Sequence, residues 1–417
     1  MITAGHSSVR LAPRGGTHPL GAALAWLDQP VAAGLIAQAG WLAFVTARLN
    51  RWAGGQLSLF IMSGTEYSDP ARMVPAISHV PRKGYDGQFF YRFALNPFNW
   101  HPSAYGITVD HLYRYTRIGY PALAWLLSSG GHGVALPTVL VLVNLVCVAV
   151  LGWLGGVFAQ QAGRHALWGL LCAAYFGLVI SVGRDTAEPL ADVCLLGGLL
   201  AYRDRRFVFA ALLLGYAGVT NEPVLVLPAA IAVTRMFLIV RRRARPGAAD
   251  LAWLLPGTLY LLLQDIQHKV VAGTAGGLAD ASTNLTWPFT ALVAGLYRDA
   301  SRLSLTHLTG YDYNLMEFVV LAAFVVAGLR VIGATAAPAH ERVAFAGFVL
   351  VEIVAASSQF WYSVFGDGRI FVDAFEMAVL LLLATPARIV SSRRLGWLAC
   401  AALAALILVA RRRILFE

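Results

Sequence analysis

Long apolar runs recur along the whole chain, and they constrain its fold more than any other feature. A run of about 20 apolar residues crosses the hydrocarbon core of a bilayer as a helix. No water reaches the backbone N–H and C=O groups there, so each run must satisfy them internally. A closed β-barrel would need short stretches that alternate with a period of two, whereas these runs are continuous. Composition agrees: of 417 residues 58% are hydrophobic and 13% charged, too little charge to clothe a soluble domain. The expected fold is all-α, a polytopic bundle of about eleven crossings plus one re-entrant or half-helix, with amphipathic helices in a large first outer loop.

The apolar runs are expected at 31–49, 118–127, 134–158, 166–182, 188–202, 207–220, 223–240, 251–264, 314–333, 343–357, 370–385 and 395–410. Residues 1–30 read as a cytoplasmic segment without a cleavable leader, 31–410 as one membrane domain, and 411–417 as a basic tail. Two long loops interrupt the pattern, about 51–117 and about 265–313. The run Ile118–Leu127 is short for a span, so it is the expected half-helix. Arginine clusters at 203–206, 241–245, 330–342 and 388–394 mark cytoplasmic turns. Alternation then puts both long loops and the turns 183–189, 221–223 and 363–369 outside, a multi-pass plasma-membrane topology with extracytoplasmic chemistry. The same parity carries Arg411–Arg413 outside, against the positive-inside rule.

The net charge of +10 is therefore explained by membrane lipids as partner rather than nucleic acid. Cys147, Cys172, Cys194 and Cys400 all lie in apolar runs, with neither metal spacing nor a disulfide framework. Metalloprotease, P-loop and serine-hydrolase motifs are absent.

Chemistry is expected in the outer segments. In YDGQFFYRFALNPFNWHP, 85–102, Gln88–Leu95 reads as an aromatic amphipathic helix lying along the membrane surface. Asp86 at its start has two readings, an ordinary helix cap or a general base. Arg114 and Arg117 are three apart and face one side of a helix, able to hold a phosphate or to snorkel at the interface. Arg184, Asp185 and Glu188 crowd one turn, either as a self-satisfied pair or with Arg184 turned to a phosphate. Glu222 is the carboxylate of the next outer turn, and Arg369 follows Gly366-Asp367-Gly368 before a helix carrying Asp373 and Glu376.

These stretches resemble the GT-C superfamily of polytopic glycosyltransferases, in its mannosyltransferase-like branch and in bacterial proteins of cell-surface glycopolymer formation. The resemblance rests on YDGQFFY at 85–91, YRYTRIGYPALAWLL at 113–127 and the layout of 181–228, and spans roughly 30–385. It implies an inverting transfer of a sugar from a polyprenyl-phosphate donor to a glycan, lipid or protein acceptor. Asp86 is then the base, and Arg117, Arg184 and Arg369, with Gln88 and Arg114, hold the lipid phosphate. Asp185, Glu188 and Glu222 are supporting acids, and no metal or other cofactor is obligatory. The alternatives are a transporter or flippase of a lipid-linked glycan, and a non-catalytic scaffold of envelope assembly.

Overall fold

The computed structural model describes residues 19–73, 77–271, 285–304, 308–355 and 367–415. The polar N-terminal stretch before residue 19, part of the second long loop and most of the turn 363–369 lie outside them. The described chain is predominantly helical, with almost no strand. Its helices are α1 (Pro19–Leu27), α2 (Pro30–Arg51), α3 (Gly87–Leu95), α4 (Gly119–Leu127), α5 (Leu136–Gln161), α6 (Leu170–Ala173), α7 (Leu178–Gly183) and α8 (Glu188–Arg203). They continue as α9 (Phe207–Gly218), α10 (Val226–Val240), α11 (Leu251–Val270), α12 (Thr290–Ala300), α13 (Gly310–Val331), α14 (Ala339–Val354), α15 (Val372–Leu383) and α16 (Ser392–Leu415). Apart from isolated bridges, strand pairing among the described residues is confined to two two-residue ladders in the first loop.

Among the described residues, four segments are long and apolar enough to cross a bilayer: Pro30–Arg51, Leu136–Gln161, Glu222–Val240 and Gly310–Val331. Pro30, Pro137 and Pro189 each stand in the first turn of a helix, where the missing N–H costs nothing. Helices α2 and α5 cross closely. A side chain on Gly152 would come within 2.9 Å of the Ala33 carbonyl and the Ala37 methyl, so only small residues allow this approach.

The helix ends sort into two groups. At one end Asp28 accepts from Ala166 N at 2.8 Å, Arg203 pairs with Glu341 at 2.5 Å, and Arg164 donates to the carbonyls of Thr385 and Val390. At the other, Arg48 at the close of α2 donates to the carbonyls of Gly183, closing α7, and Arg413, closing α16. Asp86, Arg117, Glu188, Glu222 and Arg369 meet at this second end, described below. Arg411–Arg413 are part of α16, which runs to Leu415.

Two sequence expectations change. The run 166–182 is not one helix but breaks between α6 and α7. There Gly177 presses on the backbone of Gly368, where a side chain would reach its carbonyl at 2.5 Å, and Tyr175 Oη donates to the same carbonyl. Helix α3 does not lie open along a surface, because every residue from Gly87 to Ala94 is buried between the first loop, α4 and α5. Its polar face is consumed internally, with Arg92 donating to the carbonyls of Asn99 and His101. Helix α4 is short, about 13 Å at 1.5 Å per residue. Its first N–H is bound to the Val219 carbonyl at 2.8 Å, and Trp125 near its close packs on Phe98 of the first loop.

Candidate functional site

Asp86 stands at the N-cap position of α3, but its side chain does not cap the helix. It precedes α3 in αR conformation, and its side chain makes no capping bond to that helix. One carboxylate oxygen instead meets Arg114 Nη1 at 3.0 Å, and the other accepts from Arg369. The position is fixed by the glycine that follows. A Cβ on Gly87 would fall 2.4 Å from the Arg184 carbonyl and 2.6 Å from that of Ile61, so the start of α3 can lie against both only as glycine.

Arg369 is a bridge. While bound to Asp86 it donates from Nη1 to Glu188 Oε1 at 2.9 Å, joining the first loop to the first turn of α8. Glu188 also accepts from the hydroxyls of Ser181, at 3.1 Å, and Thr186. Arg114 spans Asp86 and Asp110. Arg117 forks onto Glu222 with contacts of 2.6 and 2.7 Å, a bidentate pair between residues 105 apart in sequence. Burial alone pushes the Asp86 carboxyl up. Arg114 and Arg369, with Arg117 behind them, outweigh it and hold Asp86 well below the usual carboxylate range. Asp86 is thus a fixed anion whose basicity depends on whether Arg369 stays on it.

The other sequence-chosen residues divide. Arg184 stacks on the Tyr85 ring at 4.2 Å, and Arg369 lies over the same ring at 4.9 Å, so both adjoin the Asp86 cluster. Asp185 is fully buried in the left-handed region at φ 48° and lies within electrostatic reach of Arg48 rather than pairing with its neighbour. Gln88 is consumed by the loop backbone: Oε1 accepts from Gly64 N at 3.0 Å and Nε2 donates to the Lys83 carbonyl at 3.1 Å. Its role here is to hold the loop, with both ends of the amide engaged.

Sequence reasoning did not select Arg48, Arg412 or Arg413, which also reach this end. Arg412 lies 4.8 Å over the Tyr313 ring, and Arg413 is buried within electrostatic reach of Arg184, Glu317 and Tyr85. The signal was present: Arg411–Arg413 fell on the wrong side of the positive-inside rule, as charges with a local task do. Asp192 was missed too. With Asp373 and Glu376 it forms a buried carboxyl group of α8 and α15 deeper in the bundle. Among the described residues, no group of three or more His, Cys, Asp or Glu is disposed to hold a metal ion.

No family model matches the chain, and none of the curated proteins matches it in sequence. Carboxylates and guanidinium groups from five distant segments meet at one end of an apolar bundle, an arrangement that can accept a proton and hold an anionic headgroup.

Proposed function

We propose that this chain is a membrane glycosyltransferase of the GT-C kind, transferring a sugar from a polyprenyl-phosphate donor to a glycan, lipid or protein acceptor. The observation that carries the reading is Asp86: an aspartate freed from capping, with both oxygens gripped by arginines of distant segments. In the reaction an acceptor hydroxyl gives its proton to Asp86 as its oxygen bonds to the anomeric carbon. The bond from that carbon to the phosphate oxygen breaks on the opposite face, and its electron pair leaves with the polyprenyl phosphate. Asp86 acts as base once the anionic donor draws Arg369 away, since a doubly paired carboxylate is a poor proton acceptor. No obligatory metal is part of this reading.

In the same reading α2, α5, the broken pair α6–α7, α8 to α11 and α13 to α16 each cross the plasma membrane, and α4 is the half-helix. The Asp86 end faces outward and the Arg203–Glu341 end faces the cytoplasm. The exposed arginine-rich turns at 203–206, 241–245 and 388–394 support that topology.

Two observations favour a second reading, a proton-coupled transporter or flippase. The buried carboxyls of Asp192, Asp373 and Glu376 and the break between α6 and α7 are features that such proteins use. The test is transfer itself. Membranes containing the chain are given polyprenyl-phosphate sugars of several hexose and pentose types. Product that depends on Asp86 supports the enzyme. Flip of a fluorescent lipid-linked sugar in proteoliposomes, with no product in any case, supports the transporter instead.

A further inference from the structure

The end of the bundle opposite Asp86 holds a cavity of about 480 Å³. It lies among three connections: 162–168 after α5, Ala336 between α13 and α14, and 384–392 between α15 and α16. Sites for small molecules run from about 300 to 1,000 Å³, so the space suits one small ligand. Its polar lining is mostly donor. Arg164 and His165 line it, and the described lining residues include no carboxylate. Arg164 Nη2 donates to the carbonyls of Thr385 and Val390 at 2.7 and 2.8 Å, which fixes the guanidinium and leaves its charge in place. His165 Nδ1 accepts from Leu167 N at 3.2 Å and stands 3.6 Å from Asp28. Neutral with Nδ1 accepting, or protonated beside Asp28, the ring carries a proton on Nε2 in both forms. The Trp168 indole can only donate. Ser392 opens α16, so the positive end of a 24-residue helix reaches the rim. The carbonyls of His165, Ala384, Thr385 and Pro386 are already engaged by other donors. Arg388 and Arg393, exposed beside lining residues Ala387 and Ser392, add to the same field.

We propose that this cavity is a phosphate site, separate from the Asp86 end and independent of the transferase reading. A lining rich in donors and without carboxylates rejects cations and suits an anion. Phosphate presents oxygens in several directions and meets Arg164, His165, Trp168 and Ser392 together, whereas a carboxylate offers two oxygens in one plane. Ala336, Ala384, Pro386 and Ala387 form an apolar wall beside these donors, a place for the organic part of a phosphate ester. In the proposed topology this end faces the cytoplasm. The phosphate is therefore that of an inner-leaflet phospholipid headgroup or of a free cytosolic ester. Once bound it ties the three connections together, because Arg164 already joins the close of α5 to the turn before α16.

Binding to the purified full chain in dodecyl maltoside, a detergent without phosphate, tests it by calorimetry. The probes are dioctanoyl phosphatidic acid, glycerol phosphate and dioctanoylglycerol. Wild type should bind phosphatidic acid about 10-fold or more tightly than dioctanoylglycerol, the worth of one charge-assisted hydrogen bond. Arg164→Gln should weaken phosphatidic acid by a similar factor. Ala387→Phe, at an exposed position on the wall, fills the cavity without touching a charge and should weaken it by about 5-fold or more. Arg241→Gln, an exposed arginine of a different turn, should leave binding unchanged. Equal affinity for phosphatidic acid and dioctanoylglycerol, or unchanged binding in Ala387→Phe, overturns the site. A loss in Arg241→Gln equal to that in Arg164→Gln also overturns it, in favour of diffuse surface charge. Should Arg164→Gln fail to fold, Ala387→Phe decides alone. With the site standing, glycerol phosphate binding as tightly as phosphatidic acid names a free ester as ligand, and binding about 10-fold weaker names the lipid headgroup. No sugar transfer enters this assay, so its result and that of the transferase test fall separately.

Discussion

Arg369→Gln removes one guanidinium from two carboxylates at once, and the cost follows from their burial. The side chains of Arg369, Asp86 and Glu188 are only 10%, 15% and 3% exposed. Removing one partner of a buried pair costs about 3–5 kcal/mol, mostly because the remaining charge is left in a poor solvent. Asp86 keeps Arg114, and Glu188 keeps the hydroxyls of Ser181 and Thr186, so the losses do not add. About 4 kcal/mol is expected for Arg369→Gln. Glu188→Gln in the same chain removes the stranded charge and should restore about 2 kcal/mol. The assay is reversible unfolding by SDS in mixed micelles, read by tryptophan fluorescence, for wild type, both single variants and the double. The gap between wild type and Arg369→Gln should also narrow below about pH 4, the ordinary carboxylate range. The sign is fixed: Asp86 is held low in the folded state, so its contribution is present above that range and is lost as pH falls. A loss below about 1 kcal/mol for Arg369→Gln, or additive effects in the double variant, would show that the bridge does not hold these segments together.

Three further outcomes follow from the geometry. Gly87→Ala drives a methyl into the Arg184 and Ile61 carbonyls and should lower yield and thermal stability sharply, whereas Gly54→Ala, with open space around it but a left-handed φ, should cost only about 1 kcal/mol. Arg117→Met and Glu222→Met should each destabilise the chain by about 2–4 kcal/mol, and the double variant should recover most of that; additivity would mean that the fork is a surface contact of little worth. In the proposed topology, a cysteine replacing exposed Phe98 should react with an impermeant maleimide from outside intact cells, and one replacing Arg242 only after lysis; the reverse pattern would invert the orientation.

Much of the fold was legible because bilayer helices must be apolar and continuous. The runs at 31–49, 134–158 and 223–240 coincide with α2, α5 and α10 to within a few residues. The shortness of Ile118–Leu127 was enough to separate it from the spans. What periodicity could not supply was contact between distant segments. The break at 174–177 is imposed by Gly368, nearly two hundred residues away. The burial of α3 follows from the backbone partners of Arg92 and Gln88, which a helical wheel does not contain. At the site, Asp86, Arg114, Arg117, Arg184, Glu188, Glu222 and Arg369 were all picked from sequence and do gather at one end. Their pairing was not legible. Arg117 was chosen for a phosphate yet is forked onto Glu222, because bidentate geometry depends on the approach of the start of α4 to the turn between α9 and α10. Arg413 was passed over because a basic C-terminus reads as a tail until α16 carries it back beside α2.

The most direct test replaces Asp86 by Asn, a change that keeps the size of the side chain and removes its charge and basicity. The variant is expressed in the native host in place of the wild type, with membrane abundance checked and the composition of the cell-envelope glycan measured. Normal abundance with loss of one sugar from that glycan is the predicted result, and the missing sugar names the donor. Normal abundance with an unchanged glycan would contradict it, leaving Asp86 as a structural anion between Arg114 and Arg369.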